Sequence, residues 1–133
     1  MAIAIIQLHH LQITIPTSAE DACREFYGEI LGLEEIPKPS ILQKRGGMWY
    51  RLAGLELHVS PEEAGQDNER SKRHACLLVT NLGATELEMR RRGIEIIADK
   101  QPLEGWTRFY VRDPGGNRIE FAQMKVEPGK DVR

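Results

Sequence analysis

Phe109-Tyr-Val-Arg-Asp-Pro-Gly-Gly-Asn-Arg-Ile-Glu120 is the stretch whose reading decides the fold. Asp113-Pro-Gly-Gly116 is strong turn chemistry, and the residues on either side, 107–112 and 117–123, are strand-like. A β-hairpin is therefore predicted. Successive side chains of a strand point to opposite faces, so Glu120 lies opposite Ile119 and Phe121, on the less apolar side.

Working outward, His74 stands 46 residues before Glu120 and opens a second strand-like run, His74-Ala-Cys-Leu-Leu-Val. The same arrangement occurs 64 residues earlier: His10 opens His10-Leu-Gln-Ile-Thr-Ile, and Glu56 follows after another 46 residues within Gly54-Leu-Glu-Leu. His10 shares its face with Gln12 and Thr14, away from Leu11, Ile13 and Ile15. His74 shares a face with Cys76 and Thr80. Glu56 and His58 lie opposite Leu55, Leu57 and Val59. Any single half-buried strand alternates in this way. Four such strands in register within a repeat favour a metal site made by His10, Glu56, His74 and Glu120. Nitrogen and carboxylate ligands without thiolate suit Zn, Ni, Mn, Co or Fe(II), and the sequence does not choose among them. His58 is either a ligand itself or a donor supporting Glu56, with Glu56 favoured by the repeat. His9 points with the aliphatic residues and reads as an edge or core histidine.

The remaining elements fall into the same two halves, about 8–60 and 74–124. In the first, Thr17-Ser-Ala-Glu20 has the capping-box pattern, and Ala22, Phe26 and Ile30 follow at helical spacing up to Gly32. Strands follow at 33–36, 49–52 and 55–60. In the second half a helix is predicted over 83–92 with Ala84 and Leu87 inward, then strand-like sequence over 94–98 and the closing hairpin. Residues 61–73 are polar and read as a linker, and the tail 126–133 as loose. The chain reads as one α+β domain, residues 1–133, built from two tandem βαβββ modules.

Composition narrows the function classes. With 133 residues, 41% hydrophobic and 29% charged, the chain is long enough to bury a core without disulfides. Lys and Arg number 18 against 20 Asp and Glu, a net charge of −2, which gives nucleic acid no footing. Arg90-Arg91-Arg92 reads as the solvated end of a helix. The apolar start, Met1 to Leu8, is too short to span a membrane and lacks a basic leader, so a cytoplasmic protein is expected. Cys23 and Cys76 are expected as buried free thiols, with a disulfide between them as the alternative. Lys38, Lys44 and Arg45 are read as surface residues, with reception of an anionic substrate as the alternative.

Together these segments resemble the vicinal oxygen chelate superfamily, which includes lactoylglutathione lyases, fosfomycin-resistance thiol transferases, extradiol dioxygenases and bleomycin-binding proteins. The resemblance covers about residues 8–124. His10-Leu-Gln-Ile-Thr-Ile is similar to the family's first strand, Phe26-Tyr27 with Ile30-Leu31-Gly32-Leu33 to its "FY…LG" helix end, and 109–120 to its "FxxDPxGNxxE" hairpin. The resemblance implies modules curling into a cup-shaped, barrel-like mixed sheet with helices outside, often as a homodimer. It implies His10, His74 and Glu120 as metal ligands, and Glu56 as the fourth ligand of the lyase branch. It also implies a small-molecule substrate with vicinal oxygens, one divalent metal stabilising an enolate, and Glu120 or Glu56 as the base. The arginine that glutathione-using lyases carry late in the first strand is absent here, where Gln12-Ile-Thr14 stands.

Three readings follow. A glyoxalase-type lyase or isomerase is favoured by the four-ligand set. An extradiol-type dioxygenase would use His10, His74 and Glu120 alone, with Tyr110 or His58 as an additional catalytic group. A bleomycin-resistance-like binding protein is disfavoured by retention of the metal residues. Trp49, Trp106, Tyr50 and Phe109 are candidates to line an aromatic pocket or to pack the core.

Overall fold

The structure is a computed structural model in which residues 2–63 and 67–125 are described. The expected loose tail, 126–133, lies outside the described residues, as do 64–66 of the expected linker. The chain divides into two compact units, Met1–Gln66 and Asp67–Arg133. Each is a four-stranded mixed sheet with one main helical segment, so the expected tandem βαβββ arrangement is present. Among the described residues no helix is long and apolar enough to cross a membrane.

In the first unit β1 (His10–Ile15) leads through a helical segment to β2 (Glu34–Ile36), β3 (Met48–Leu52) and β4 (Leu55–Pro61), in the spatial order β1-β4-β3-β2. β1 and β4 run parallel, and the other neighbours are antiparallel. One face carries Ile15, Met48, Tyr50, Leu57 and Val59, all buried. Against it lies the helix, α1 (Glu20–Arg24) continuing as a π-helical turn (Glu25–Ile30), which buries Cys23, Phe26 and Tyr27. The Tyr50 hydroxyl donates to the Arg24 carbonyl (3.4 Å). Burial pushes the Tyr50 phenol up to about 12, so it stays neutral in that contact.

The expected capping box does not form. Thr17–Ala19 is a short 3-10 turn without a side-chain cap, and Glu20 accepts from the Gly47 amide instead. Gly47 has a positive φ of +82°, and a Cβ there would lie 2.2 Å from the Val59 carbonyl oxygen, so only glycine lets β3 start this close to β4. Residues 40–45, which carried no strand or helix signal, form a 3-10 segment (Ser40–Arg45), and Lys38 binds the Gly46 carbonyl rather than reaching into solvent.

The second unit repeats the plan with β5 (His74–Leu78), α2 (Leu82–Arg91), β6 (Ile97–Ala98), β7 (Trp106–Arg112) and β8 (Arg118–Met124), in the order β5-β8-β7-β6. Asn81 caps α2, its side chain accepting from the Ala84 amide (2.9 Å). The helix buries Met89 rather than the expected pair: Ala84 is exposed and Leu87 is 59% exposed. Arg90, Arg91 and Arg92 pair with Glu86 and Glu88 on its outer side. The strand expected over 94–98 shrinks to Ile97–Ala98.

The hairpin forms as predicted. Asp113 accepts from the amides of Gly115 (2.9 Å) and Asn117 (2.8 Å), while Gly116 takes φ +88°. Part of the expected linker is docked on this turn. Asn68, in a 3-10 turn (Asn68–Arg70), donates to the Gly115 carbonyl (3.0 Å), and Arg112 gathers the carbonyls of Asn68, Ser71 and Gly116.

Candidate metal centre

Partners across a parallel pair of strands project to the same side, so the register decides which side chains meet. In the first unit His10 is opposite Glu56 and Gln12 is opposite His58. β3 adds Trp49 opposite His58 and Arg51 opposite Glu56. This is the face away from the helix. Here three rings stack: Trp49 on His58 (centroids 3.7 Å apart, planes within 1°) and His58 on His10 (4.2 Å, 15°). His58 is 4% exposed, and its Nε2 binds Glu56 Oε1 at 3.0 Å. That hydrogen bond holds the Glu56 carboxyl below the usual carboxylate range. His10 is exposed, with its Nδ1 3.0 Å from that of His9. His9 is itself exposed, an edge residue rather than a core one.

In the second unit His74 is opposite Arg118, and Glu120 is opposite Cys76 and Tyr110. His74 reaches diagonally, its Nε2 2.9 Å from Glu120 Oε1. Its Nδ1 lies 2.8 Å from the Lys72 carbonyl oxygen, an acceptor that requires the N–H on that nitrogen. His74 thus presents Nε2 to the carboxylate in a fixed ring orientation. Glu120 is 3% exposed, and among the described residues its buried Oε2 has no hydrogen-bond partner; it forms a long ion pair with Arg108 Nη1 at 3.7 Å. A buried carboxylate oxygen met only by so long an ion pair is under-satisfied, and a metal cation would answer it more closely. Arg108 is held back by Asp99, at 3.0 Å from Nε, and that hydrogen bond keeps the Asp99 carboxyl below its ordinary range.

Equal spacing therefore conceals unequal register. Both His–Glu separations are 46 residues, yet Glu56 faces its histidine directly whereas Glu120 sits two residues further along its strand. By register the counterpart of Glu120 is His58, and that of Glu56 is Arg118. Within each unit the candidate residues come together as pairs, His58 with Glu56 and His74 with Glu120. Among the described residues no three His, Cys, Asp or Glu side chains form a cluster.

Cys76 is exposed on the His74 face, not buried as expected; only Cys23 is a core thiol. Partial burial, followed by the charge of Glu120 opposite, pushes the Cys76 thiol up to about 11, leaving it protonated near neutrality. Tyr50 and Phe109 belong to the core, whereas Trp49 lies on the ligand face. Sequence reasoning passed over Arg108 and Arg118. Their signal was parity: Arg118 stands two residues before Glu120, and Arg108-x-Tyr110-x-Arg112 alternates along the facing strand.

The profile of the Glyoxalase/Bleomycin resistance protein/Dioxygenase superfamily matches residues 7–121. A glyoxalase family protein from Bacillus anthracis is 39% identical, with 94% of this chain and 100% of that one covered and a TM-score of 0.83. At lower identity the fold alone is shared. Lactoylglutathione lyase from Agrobacterium tumefaciens is 17% identical, with 90% and 95% covered and a TM-score of 0.68. The fosfomycin resistance protein FosX from Listeria monocytogenes is 18% identical, with 92% and 94% covered and a TM-score of 0.76. Among functionally curated proteins no sequence matches significantly.

Proposed function

Because the chain belongs to the Glyoxalase/Bleomycin resistance protein/Dioxygenase superfamily, we propose that it is a divalent-metal enzyme of the lyase or isomerase type acting on a small molecule with adjacent oxygens. His10, Glu56, His74 and Glu120 are the proposed ligands. The observation that supports the reading is the buried Glu120 Oε2, which among the described residues has no hydrogen-bond donor and only a long ion pair with Arg108, beside a histidine whose Nδ1 is already anchored. A backbone carbonyl on one ring nitrogen is the usual outer arrangement of a metal-ligating histidine, and the other nitrogen, Nε2, here faces the Glu120 carboxylate, where an ion would find both ligands together.

When bound, such an ion supplies Lewis-acid polarisation of the two substrate oxygens. The chain's own residues do the rest. In this reading Glu120, 2.9 Å from His74 Nε2 and screened from bulk water, would be the base that takes a proton from one carbon and returns it to its neighbour, with Glu56 as the alternative. His58 orients Glu56 through the Nε2–Oε1 bond, and the Trp49 ring fixes the plane of His58. Lactoylglutathione lyase activity in a distant structural relative agrees with this reaction class.

The test is elemental analysis of the purified chain. About one Zn, Ni, Mn or Co per chain, lost in His74→Ala and in Glu120→Ala, is the expected result. Full occupancy in both variants overturns the ligand assignment. Iron alone moves the reading to a ring-cleaving dioxygenase, and no metal uptake on titration moves it to a binding protein.

A homodimer is part of the proposal. Ile3, Ile5, Ile6 and Leu8 are 87%, 83%, 93% and 62% exposed, an apolar run that a second copy would cover. Ile3→Ser with Ile5→Ser should shift the light-scattering mass toward the monomer; a monomeric parent chain rules the dimer out.

A further inference from the structure

Three arginines share the face of β7 and β8 that carries Glu120: Arg108, Arg112 and Arg118. By register Arg112 faces Arg118, Tyr110 faces Glu120, and Arg118 faces His74 across the sheet. Two of the three have structural roles. Arg112 donates to three carbonyls and pins the segment before β5 to the hairpin. Arg108 is bound to both oxygens of Asp99 and to the Gln101 carbonyl.

Arg118 differs. Its guanidinium carbon lies 3.9 Å from the centre of the Tyr110 ring, and among the described residues no carboxylate or carbonyl accepts from it. Tyr110 is only 7% exposed and also meets His74 edge-on at 5.7 Å, so the ring under Arg118 is a fixed platform. A guanidinium seated flat on a ring uses its π face for that contact and keeps its in-plane N–H groups free. Glu120, on the same face, has its Oε1 against His74 and its Oε2 in the ion pair with Arg108 instead. The result is a half-buried, oriented fork of donors opposite His74 in register, with a positive charge that has no counterion among the described residues.

We propose that Arg118 is the specificity-determining residue of the site, and that the substrate carries an oxyanionic group, carboxylate or phosphonate, in addition to its pair of chelating oxygens. The inference rests on the metal site proposed above. A planar fork matches such a group bidentately, which a lysine in its place would not.

The test is calorimetric titration of the metal-loaded chain with lactate, malate and phosphonolactate. All three offer the same hydroxyl and carboxylate for chelation; malate adds a carboxylate and phosphonolactate a phosphonate. At least one of the two should bind about tenfold or more tightly than lactate, as a charge-assisted bidentate contact implies. Whichever is preferred identifies the group. In Arg118→Gln the preference should fall to about one with metal content unchanged, and in Arg118→Lys it should be intermediate. A parent chain that does not discriminate, or an Arg118→Gln chain that still does, overturns the inference while leaving the metal site standing. Failure of the parent chain to take up any metal overturns both.

Discussion

The two units carry the same residue types at the same separation and hold them differently. In the second, the carboxylate is buried, the histidine is anchored at its far nitrogen, and Arg108 makes a long ion pair with the carboxylate oxygen that lacks a hydrogen bond. In the first, the carboxylate is only partly covered and is steered by a histidine that is itself clamped in a ring stack, while His10 is exposed. The two units share the residue types but not the means of positioning them. The second unit offers a preset pair, and the first a carboxylate positioned through an intermediary.

That contrast can be broken in graded steps. The largest effect should come from Gly47→Ala. Overlap with the Val59 carbonyl and a φ of +82° should cost the first unit more than ~3 kcal/mol, read as a lowered denaturation midpoint. Next, Glu120→Ala should weaken metal binding by more than about 100-fold, against about tenfold for Glu56→Ala, measured by competition with a chromogenic chelator. Equal losses would mean that the two halves contribute alike. His58→Ala should cost about tenfold in metal affinity and ~2 kcal/mol in stability, by releasing Glu56 and unstacking Trp49; a wild-type affinity would reduce His58 to a packing residue. Smallest is Leu87→Gln, expected within ~0.5 kcal/mol, whereas Met89→Ala on the same helix should cost ~2 kcal/mol or more in thermal melts.

The hairpin, the strands and the faces on which the histidines and carboxylates lie were legible because each depends on local information. A turn is set by four residues, and a face by period-two alternation. The same parity, applied to Cys76, places it beside His74 rather than with Leu77, where the structure has it. Other features depended on partners remote in sequence. Glu20 was drawn from its capping position to the Gly47 amide, 27 residues away. α2 chose Met89 over Leu87 because its rotation about its own axis is fixed by the sheet it packs on, not by its weak apolar stripe. The register offset between the units escaped a count of residues because a parallel pair is joined through everything between its strands. An insertion in any intervening turn leaves the count ambiguous. The site was thus legible as a set of residues, but not as an arrangement.

In each unit the first strand pairs with the last, so β1 must wait for β4 and β5 for β8. The hairpins β3–β4 and β7–β8 need close only short loops, whereas joining His74 to Glu120 encloses 46 residues of chain. Loop-closure entropy places that step late in folding. On a ribosome the first unit can complete its sheet before the second has fully emerged. His10 and His74 therefore each come to lie beside the strand that carries the carboxylate only when their own unit has closed its sheet.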